Sequence, residues 1–248
     1  MDGVQLCARF SLATNRLDFC GPAGAHETLY RAVTTSRDLV QARRDLAQFE
    51  ALMPYLETIG QKHGLDPFDY RVVEAYWIGN ALLDSFTPRD FGDLLDRLVR
   101  RGLPRSLAQR LRDHLPARPL PHHAFHVSFV GVGNVTGHVE TTLANMESCR
   151  PGFGTVASVV GSTITMTAPA LELHQGRLRL SSPKTETTAF DLRLLGEVGP
   201  GDPVASHWHT PAVRLEPHQF AALARYTQLS LEAASEGWAK LGTTAFPP

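Results

Sequence analysis

Cysteine is scarce in this chain: three occur among 248 residues, at positions 7, 20 and 149. Three widely spaced cysteines are too few for the disulfide framework that holds small secreted domains together. The N-terminal segment also lacks the basic stretch followed by a long apolar run that marks a secretory signal. These absences predict a reducing, cytoplasmic environment.

Long apolar runs and an excess of charge of one sign are absent as well. No run approaches the roughly 20 apolar residues that a membrane-spanning helix needs. The formal net charge is −1, whereas nucleic acids and anionic membranes are bound by clustered lysine and arginine. We therefore expect neither a nucleic acid nor a membrane as a partner.

Several common signature motifs are missing too. The chain has no Walker A loop, no HExxH or GxSxG motif and no paired CxxC. These motifs mark phosphate-binding loops, zinc proteases, serine hydrolases and four-cysteine zinc sites. Any activity must therefore be carried by side chains that are distant in sequence.

The composition itself is that of a globular protein, with 43% hydrophobic and 20% charged residues. A chain of this length buries a sizeable core in one large or two modest domains. We predict an α+β fold, with a mainly helical domain over residues 1–117 and an OB-like β-barrel domain with a trailing helix over residues 122–248. Residues 1–24 are predicted to be irregular, and the proline-rich stretch Pro116–Pro121 is the predicted connector.

Between residues 25 and 117 the apolar residues recur with a helical period. Gly64 is predicted to end one helix and Asp66-Pro67 to cap the next. On that next helix Glu74, Trp77 and Asn80 share one face. This face either packs against the metal-site region described below or makes an ordinary helix contact with its polar groups satisfied locally.

The second half is rich in β-branched residues that glycine and proline divide into short runs. The runs 155–160, 163–166, 178–180 and 185–192 predict strands. Short strands at this spacing favour a small closed barrel, whose loops bring residues distant in sequence together. A final helix is predicted after Glu216, with a buried stripe formed by Phe220, Leu223, Thr227 and Leu231.

Five of the 11 histidines fall in two tight groups. The first group lies in residues 122–130, which we predict to be a strand. His122 and His126 then share one face but lie roughly 13 Å apart at about 3.3 Å per residue, too far to bind one metal ion unless the strand start is bent. Either one of them joins Cys149 or His207, or both cap the strand or form local hydrogen bonds.

Cys149 and His207 are the best candidates for a shared site. Cys149 stands just before Pro151-Gly152 at the start of the first predicted strand, and His207 ends the run Gly201-Asp202-Pro203-Val204-Ala205-Ser206-His207. A thiolate and an imidazole together bind borderline-soft metals such as iron, nickel and zinc. At the ends of barrel strands the two side chains can meet.

These residues resemble the HypC/HupF-type chaperones of nickel–iron hydrogenase assembly, which are small OB-like barrels with a trailing helix. In that family a cysteine precedes Pro-Gly and the first strand, and Gly-Asp-x-Val-x-x-His lies near the end of the barrel. The resemblance covers Cys149 to Leu215. It departs from the family because Cys149 does not follow the initiator methionine and because Trp208-His209 follows the histidine.

The resemblance implies that Cys149 and His207 bind iron, carried as an Fe(CN)2CO fragment toward a hydrogenase large subunit or another maturation protein. Over its whole length the chain also resembles an actinobacterial family associated with hydrogenase gene neighbourhoods. That association is compatible with the same function but assigns no activity.

Two further residues are candidates for the same site. Cys20 precedes Gly21-Pro22 on a predicted turn, where it is either a ligand or a small buried side chain. His209 is an additional potential ligand beside His207. The full set of candidate metal ligands is Cys149, His207, His122, His126, Cys20 and His209, whereas Cys7 is predicted to be structural.

Three functions remain open at this point. The first is a hydrogenase-maturation accessory protein that binds or hands on an iron fragment. The second is a metal- or thiolate-dependent enzyme of small-molecule metabolism that uses the same cysteines and histidines. The third is a protein-interaction module without a metal. We favour the first because a site with two protein ligands leaves coordination positions open, as transfer of the metal requires.

Overall fold

The computed structural model describes residues 1–240 and shows an α+β fold, as predicted. The first half is helical and the second half contains the strands. The helices of the first half are α1 (Gly3–Arg16), α2 (Ala25–Thr35), α3 (Leu39–Leu46), α4 (Leu52–His63), α5 (Tyr70–Trp77), α6 (Pro88–Arg100) and α7 (Arg105–Asp113), with a 3-10 helix at Ala81–Ser85.

Residues 3–16 are helical, so the prediction of an irregular opening is wrong for them, whereas residues 17–24 form turns and bends as predicted. Asp2 and Gln5 form a reciprocal capping box at the start of α1, in which each side chain accepts the other's backbone N–H. Buried residues occupy nearly every position of this helix up to Asn15. A helix enclosed on most sides has no amphipathic stripe, and the sequence therefore shows no helical period there.

The predicted helix boundaries are partly confirmed. α4 ends at His63, and Gly64 follows with a left-handed φ of 65°, as the glycine predicted. The cap of the next helix was placed wrongly. Asp69, whose side chain accepts from the N–H of Arg71, caps α5, whereas Asp66 accepts from the N–H of Phe68 in the turn before it.

Residues 123–131 are helical, so the predicted strand over 122–130 is wrong. A short helix, α8 (His123–Phe125), continues into a π-helix at His126–Gly131. The side chain of His122 accepts from the N–H of Ala124 and so caps α8. Nearly every residue of this segment is buried, which removes the alternation of polar and apolar residues that separates helix from strand.

The strands form two antiparallel sheets. The strands are β1 (Gly152–Val160), β2 (Thr163–Ala168), β3 (Leu171–His174), β4 (Arg177–Leu180), β5 (Lys184–Ala189), β6 (Pro203–His207) and β7 (Thr210–Arg214). Five of them form one sheet in the order β5-β2-β1-β6-β7, and β3 and β4 form a separate hairpin.

The expected closed OB-like barrel is not confirmed. Within residues 1–240 the five-stranded sheet is open, because β5 and β7 are its two edges and do not pair with each other. The helix α1 contacts β6 and β7, and the nearly fully exposed β5 lies at the opposite edge. A sheet that buries its central strands against helices does not need closure to form a core.

Three further helices complete the described chain: α9 (Leu143–Cys149), α10 (Leu192–Leu195) and α11 (Pro217–Lys240). The long α11 confirms the predicted final helix, and Leu223, Thr227 and Leu231 on it are buried. Among the described residues, no helix is long and apolar enough to cross a membrane.

One hydrophobic cluster contains residues of both halves, including Phe10 and Trp77 from helices and Phe153 and Val213 from the sheet. The candidate site lies at this contact between helices and sheet. The division into domains at residues 1–117 and 122–248 stays a prediction.

Candidate metal centre

Cys149 is the last residue of α9, and only Arg150 and Pro151 separate it from the start of β1. The helix is capped by Thr142, whose side chain accepts from the N–H of Asn145. It ends because Arg150 turns to an extended conformation ahead of Pro151, and a residue before proline disfavours the helical region. The cysteine is therefore held at the junction of a helix and a strand.

The backbone next to Cys149 is fixed by a buried ion pair. The Arg150 side chain is 2% exposed and donates two hydrogen bonds of 2.7 Å to Glu147. It also donates to the carbonyl of Pro169, and the N–H of Leu171 donates to Glu147. A bidentate arginine–carboxylate pair is rigid as well as strong, so Cys149 has a well-defined position.

His207 ends β6, which pairs with β1 on one side and β7 on the other. Its Nδ1 lies 2.6 Å from the carbonyl oxygen of Phe10. A carbonyl oxygen only accepts hydrogen bonds, so Nδ1 must carry the proton and Nε2 must carry the lone pair. This Nε2 is buried and has no hydrogen-bond partner among the described residues.

His123, on α8, is the third member of the group. Its Nε2 lies 3.6 Å from the Cys149 sulfur, and its Nδ1 lies 2.7 Å from the Tyr76 hydroxyl. The Tyr76 hydroxyl can accept a hydrogen bond from Nδ1–H. The lone pair of His123 is then on Nε2, which faces the thiol.

The ligand atoms of His123, Cys149 and His207 all lie within 4.8 Å of one another. An ion that binds a thiolate at about 2.3 Å and an imidazole at about 2.0 Å in tetrahedral geometry holds sulfur and nitrogen roughly 3.5 Å apart. The observed 3.6 Å between Cys149 and His123 matches this spacing. The three side chains can therefore share one metal ion.

Trp77 forms one wall of the group. Its ring centroid lies 4.3 Å from that of His123 and 5.0 Å from that of His207, and it stacks on Phe10 at 4.8 Å. The predicted helix face thus divides in two. Trp77 faces the site, whereas Glu74 accepts hydrogen bonds from Asn80 and Gln219.

This apolar enclosure keeps the three groups uncharged. Burial lowers the pKa of His207 to about 4, and burial together with the neighbouring histidines lowers the pKa of His123 well below its usual range. Burial raises the pKa of the Cys149 thiol, an effect that Cys20 increases and Trp208 opposes. Neutral imidazoles are the form that binds metals, and a bound cation removes the thiol proton.

The comparison with known families gives one match. The model of the family described as "Family of unknown function (DUF6390)" matches residues 1–240. The chain belongs to this family. No curated protein and no solved structure matches it.

Two of the predicted ligands in this DUF6390 chain, His122 and His126, lie outside the group. The Nδ1 of His122 accepts the helix-capping hydrogen bond from Ala124, so its lone pair is occupied. The Nδ1 of His126 lies 3.0 Å from the hydroxyl of Tyr55. The ring of His126 stacks on that of His123 with 5.8 Å between centroids, but among the described residues only His123, Cys149 and His207 bring their ligand atoms within 4.8 Å of one another.

The other two predicted ligands lie near the group without belonging to it. Cys20 is half-buried, and Asn15 donates to its carbonyl oxygen. Burial and then Glu50 raise the pKa of its thiol to about 12. His209 is exposed, and its Nε2 lies 2.9 Å from the Ser148 hydroxyl.

His123 is the residue that the sequence interpretation missed. As part of a strand it was placed on the apolar face with Phe125 and Val127, away from His122 and His126. The segment has no Ser, Thr, Asp or Asn at its cap and no proline at its first helical position, so the usual sequence signals of a helix start are missing. Because the segment is a helix and not a strand, the His123 side chain reaches Cys149, and its Nε2 lies 3.6 Å from the sulfur.

Proposed function

We propose that this protein binds one transition-metal ion reversibly through His123 Nε2, Cys149 Sγ and His207 Nε2. The observation that carries the proposal is the buried Nε2 of His207, which has a free lone pair and no partner in the described chain. Buried polar atoms without a partner are costly and rare. A cation shared with Cys149 and His123 satisfies all three groups.

Three ligands leave at least one coordination position open in a tetrahedral site. Closed four-ligand sites are structural, whereas three-ligand sites keep a position for an exogenous ligand. The combination of one thiolate and two imidazoles suits iron, nickel, copper and zinc rather than calcium or magnesium. This ligand set supports a protein that takes up and releases a metal, and the metal is then the cargo.

As the more specific proposal, the cargo is iron, carried as an Fe(CN)2CO fragment for hydrogenase maturation. Its support is the resemblance of Gly201-Asp202-x-Val204-x-x-His207 and of Cys149 to the HypC/HupF-type pattern. His123 is a departure, because it adds a ligand from a helix outside the resembling segment.

A second candidate function is a thiol enzyme, and the Cys149–His123–Tyr76 chain of contacts favours it. That chain places a nucleophile beside a base and the base beside an orienting group. The raised pKa of the Cys149 thiol opposes this function, because the thiolate is the nucleophile.

The test is metal titration of anaerobically purified protein with Co(II), followed by the sulfur-to-cobalt charge-transfer absorption. We expect one ion per chain in the wild type, and loss of that absorption in Cys149→Ser and of tight binding in His207→Gln. Cys20→Ser is the matched control and should bind as the wild type does. Unchanged metal loading in both site variants would reject the proposal.

Infrared spectra of the protein as purified separate the specific functions. Carbonyl and cyanide stretches support the iron carrier. Metal without these bands favours a metal-dependent enzyme. Neither metal nor bands, with a hydrogenase subunit that co-purifies, favours an interaction module.

A further inference from the structure

The hairpin turn that follows His207 is strained. Trp208 and His209 are the two residues between β6 and β7, and their φ angles are 48° and 56°. A two-residue turn of this kind is usually Asn-Gly, because a positive φ is unfavourable for residues with bulky side chains. Strain of this kind persists where the surrounding structure holds it, often at functional sites.

The turn is attached to the helix that carries Cys149. The N–H of Trp208 donates to the carbonyl of Ser148 at 2.7 Å. The Ser148 hydroxyl donates its only proton to the carbonyl of Ala144, so it accepts from Nε2–H of His209 at 2.9 Å. The neutral His209 ring therefore has its lone pair on Nδ1.

The two turn residues differ in exposure. Trp208 packs in the same small apolar cluster as Cys149, and its ring lies 4.7 Å from that of Phe19. His209 is exposed. The turn thus places an apolar cover beside the thiol and an imidazole with a free lone pair at the surface, next to the residue that precedes Cys149.

We propose that His209 is the first protein ligand that an incoming metal ion meets, and that it passes the ion to His123, Cys149 and His207. This proposal rests on the proposed function. The ion binds Nδ1 of His209; that bond breaks as bonds to the Cys149 sulfur and the two Nε2 atoms form, and the thiol proton leaves to water. Release follows the same route in reverse, so His209 affects the rates of loading and release but not the affinity.

The test compares Co(II) loading of the metal-free full chain in stopped-flow for wild type, His209→Asn and His209→Gly. Asparagine tolerates a positive φ and keeps a polar group near Ser148, and glycine relieves the strain. We expect loading and release by a chelator to slow about tenfold in both variants, because the barrier to entry and exit then lacks one ligand interaction. The dissociation constant and the stoichiometry should not change.

Thermal unfolding distinguishes this role from damage to the fold, because His209→Gly should raise the Tm while it slows loading. His218→Asn, at another exposed histidine, is the control and should load at the wild-type rate. Equal loading rates in wild type and His209→Asn would overturn the transfer role alone. A weaker affinity in His209→Asn would also overturn it, because His209 would then be a permanent ligand. Wild-type protein that binds no Co(II) would overturn the proposed function and this inference together.

Discussion

At the scale of single residues, the candidate site is defined by which ring nitrogen of each histidine carries a proton. The Phe10 carbonyl selects the Nδ1–H form of His207, and the Tyr76 hydroxyl can do the same for His123. Outer groups of this kind orient metal-binding histidines and raise their affinity. Tyr55 and His126 form a neighbouring pair that has the same chemistry but lies outside the group.

Tyr76→Phe should weaken metal binding about 10- to 100-fold, because His123 loses the hydroxyl that fixes its orientation. Tyr55→Phe is the matched control, since both tyrosines are fully buried and both contact a histidine. Each variant should lose about 1 kcal/mol of stability with its hydrogen bond. Competition with a chelator measures the affinity, and equal affinities in the two variants would contradict the positioning role.

At the scale of elements, the end of α5 and the long helix α11 pack through a glycine. Gly79 has a φ of 97°, and a Cβ placed there would lie 2.3 Å from the ring of Tyr226. The hydroxyl of Tyr226 donates to Asp84, which ties α11 to the 3-10 helix. Because Trp77 lies two residues before Gly79, this contact also holds the wall of the candidate site.

Gly79→Ala should destabilise the protein by about 2–4 kcal/mol, from overpacking against Tyr226 together with the cost of a positive φ. Gly161→Ala is the control, because Gly161 also has a positive φ but a Cβ placed there would meet no atom within 4 Å beyond its chain neighbours. It should lose only about 1–2 kcal/mol. Urea unfolding gives both values. Equal losses of unfolding free energy in the two variants would show that the contact with Tyr226 does not contribute to the cost of the substitution.

At the scale of the whole molecule, the candidate ligands come from three separate parts of the chain. His123 lies on α8, Cys149 at the end of α9 and His207 at the end of β6. The backbone of a fourth element, α1, orients His207. An ion bound to all three side chains therefore links the helices to the sheet and stabilises the folded state only.

Co(II) at 100 times its dissociation constant should add about 2.7 kcal/mol to the free energy of unfolding. For a chain of this size that corresponds to a rise in Tm of roughly 5–10 °C. Addition of a chelator should reverse the shift, and Cys149→Ser should show no shift. A wild-type Tm that is unchanged by the metal would argue against a site shared between helices and sheet.

Segments with one buried face were predicted correctly from the sequence, whereas segments buried on all sides were not. The helix α4, with its regular apolar period and Gly64 stop, and the β-branched strands β1 and β2 were predicted correctly. The enclosed segments α1 and 122–131 were not, because a segment buried on all sides carries no periodic pattern. Both missed segments contribute to the site, α1 through the Phe10 carbonyl and α8 through His123.

The sequence by itself determined the α+β class, the long final helix and the candidacy of Cys149 and His207, because these depend on local composition and on the chemistry of single side chains. Only the tertiary structure decided that His123 rather than His122 or His126 lies against the Cys149 thiol, and that the sheet formed within residues 1–240 is open. The physical reason is that ligand selection depends on which lone pairs other groups leave unoccupied, and those groups come from distant parts of the chain.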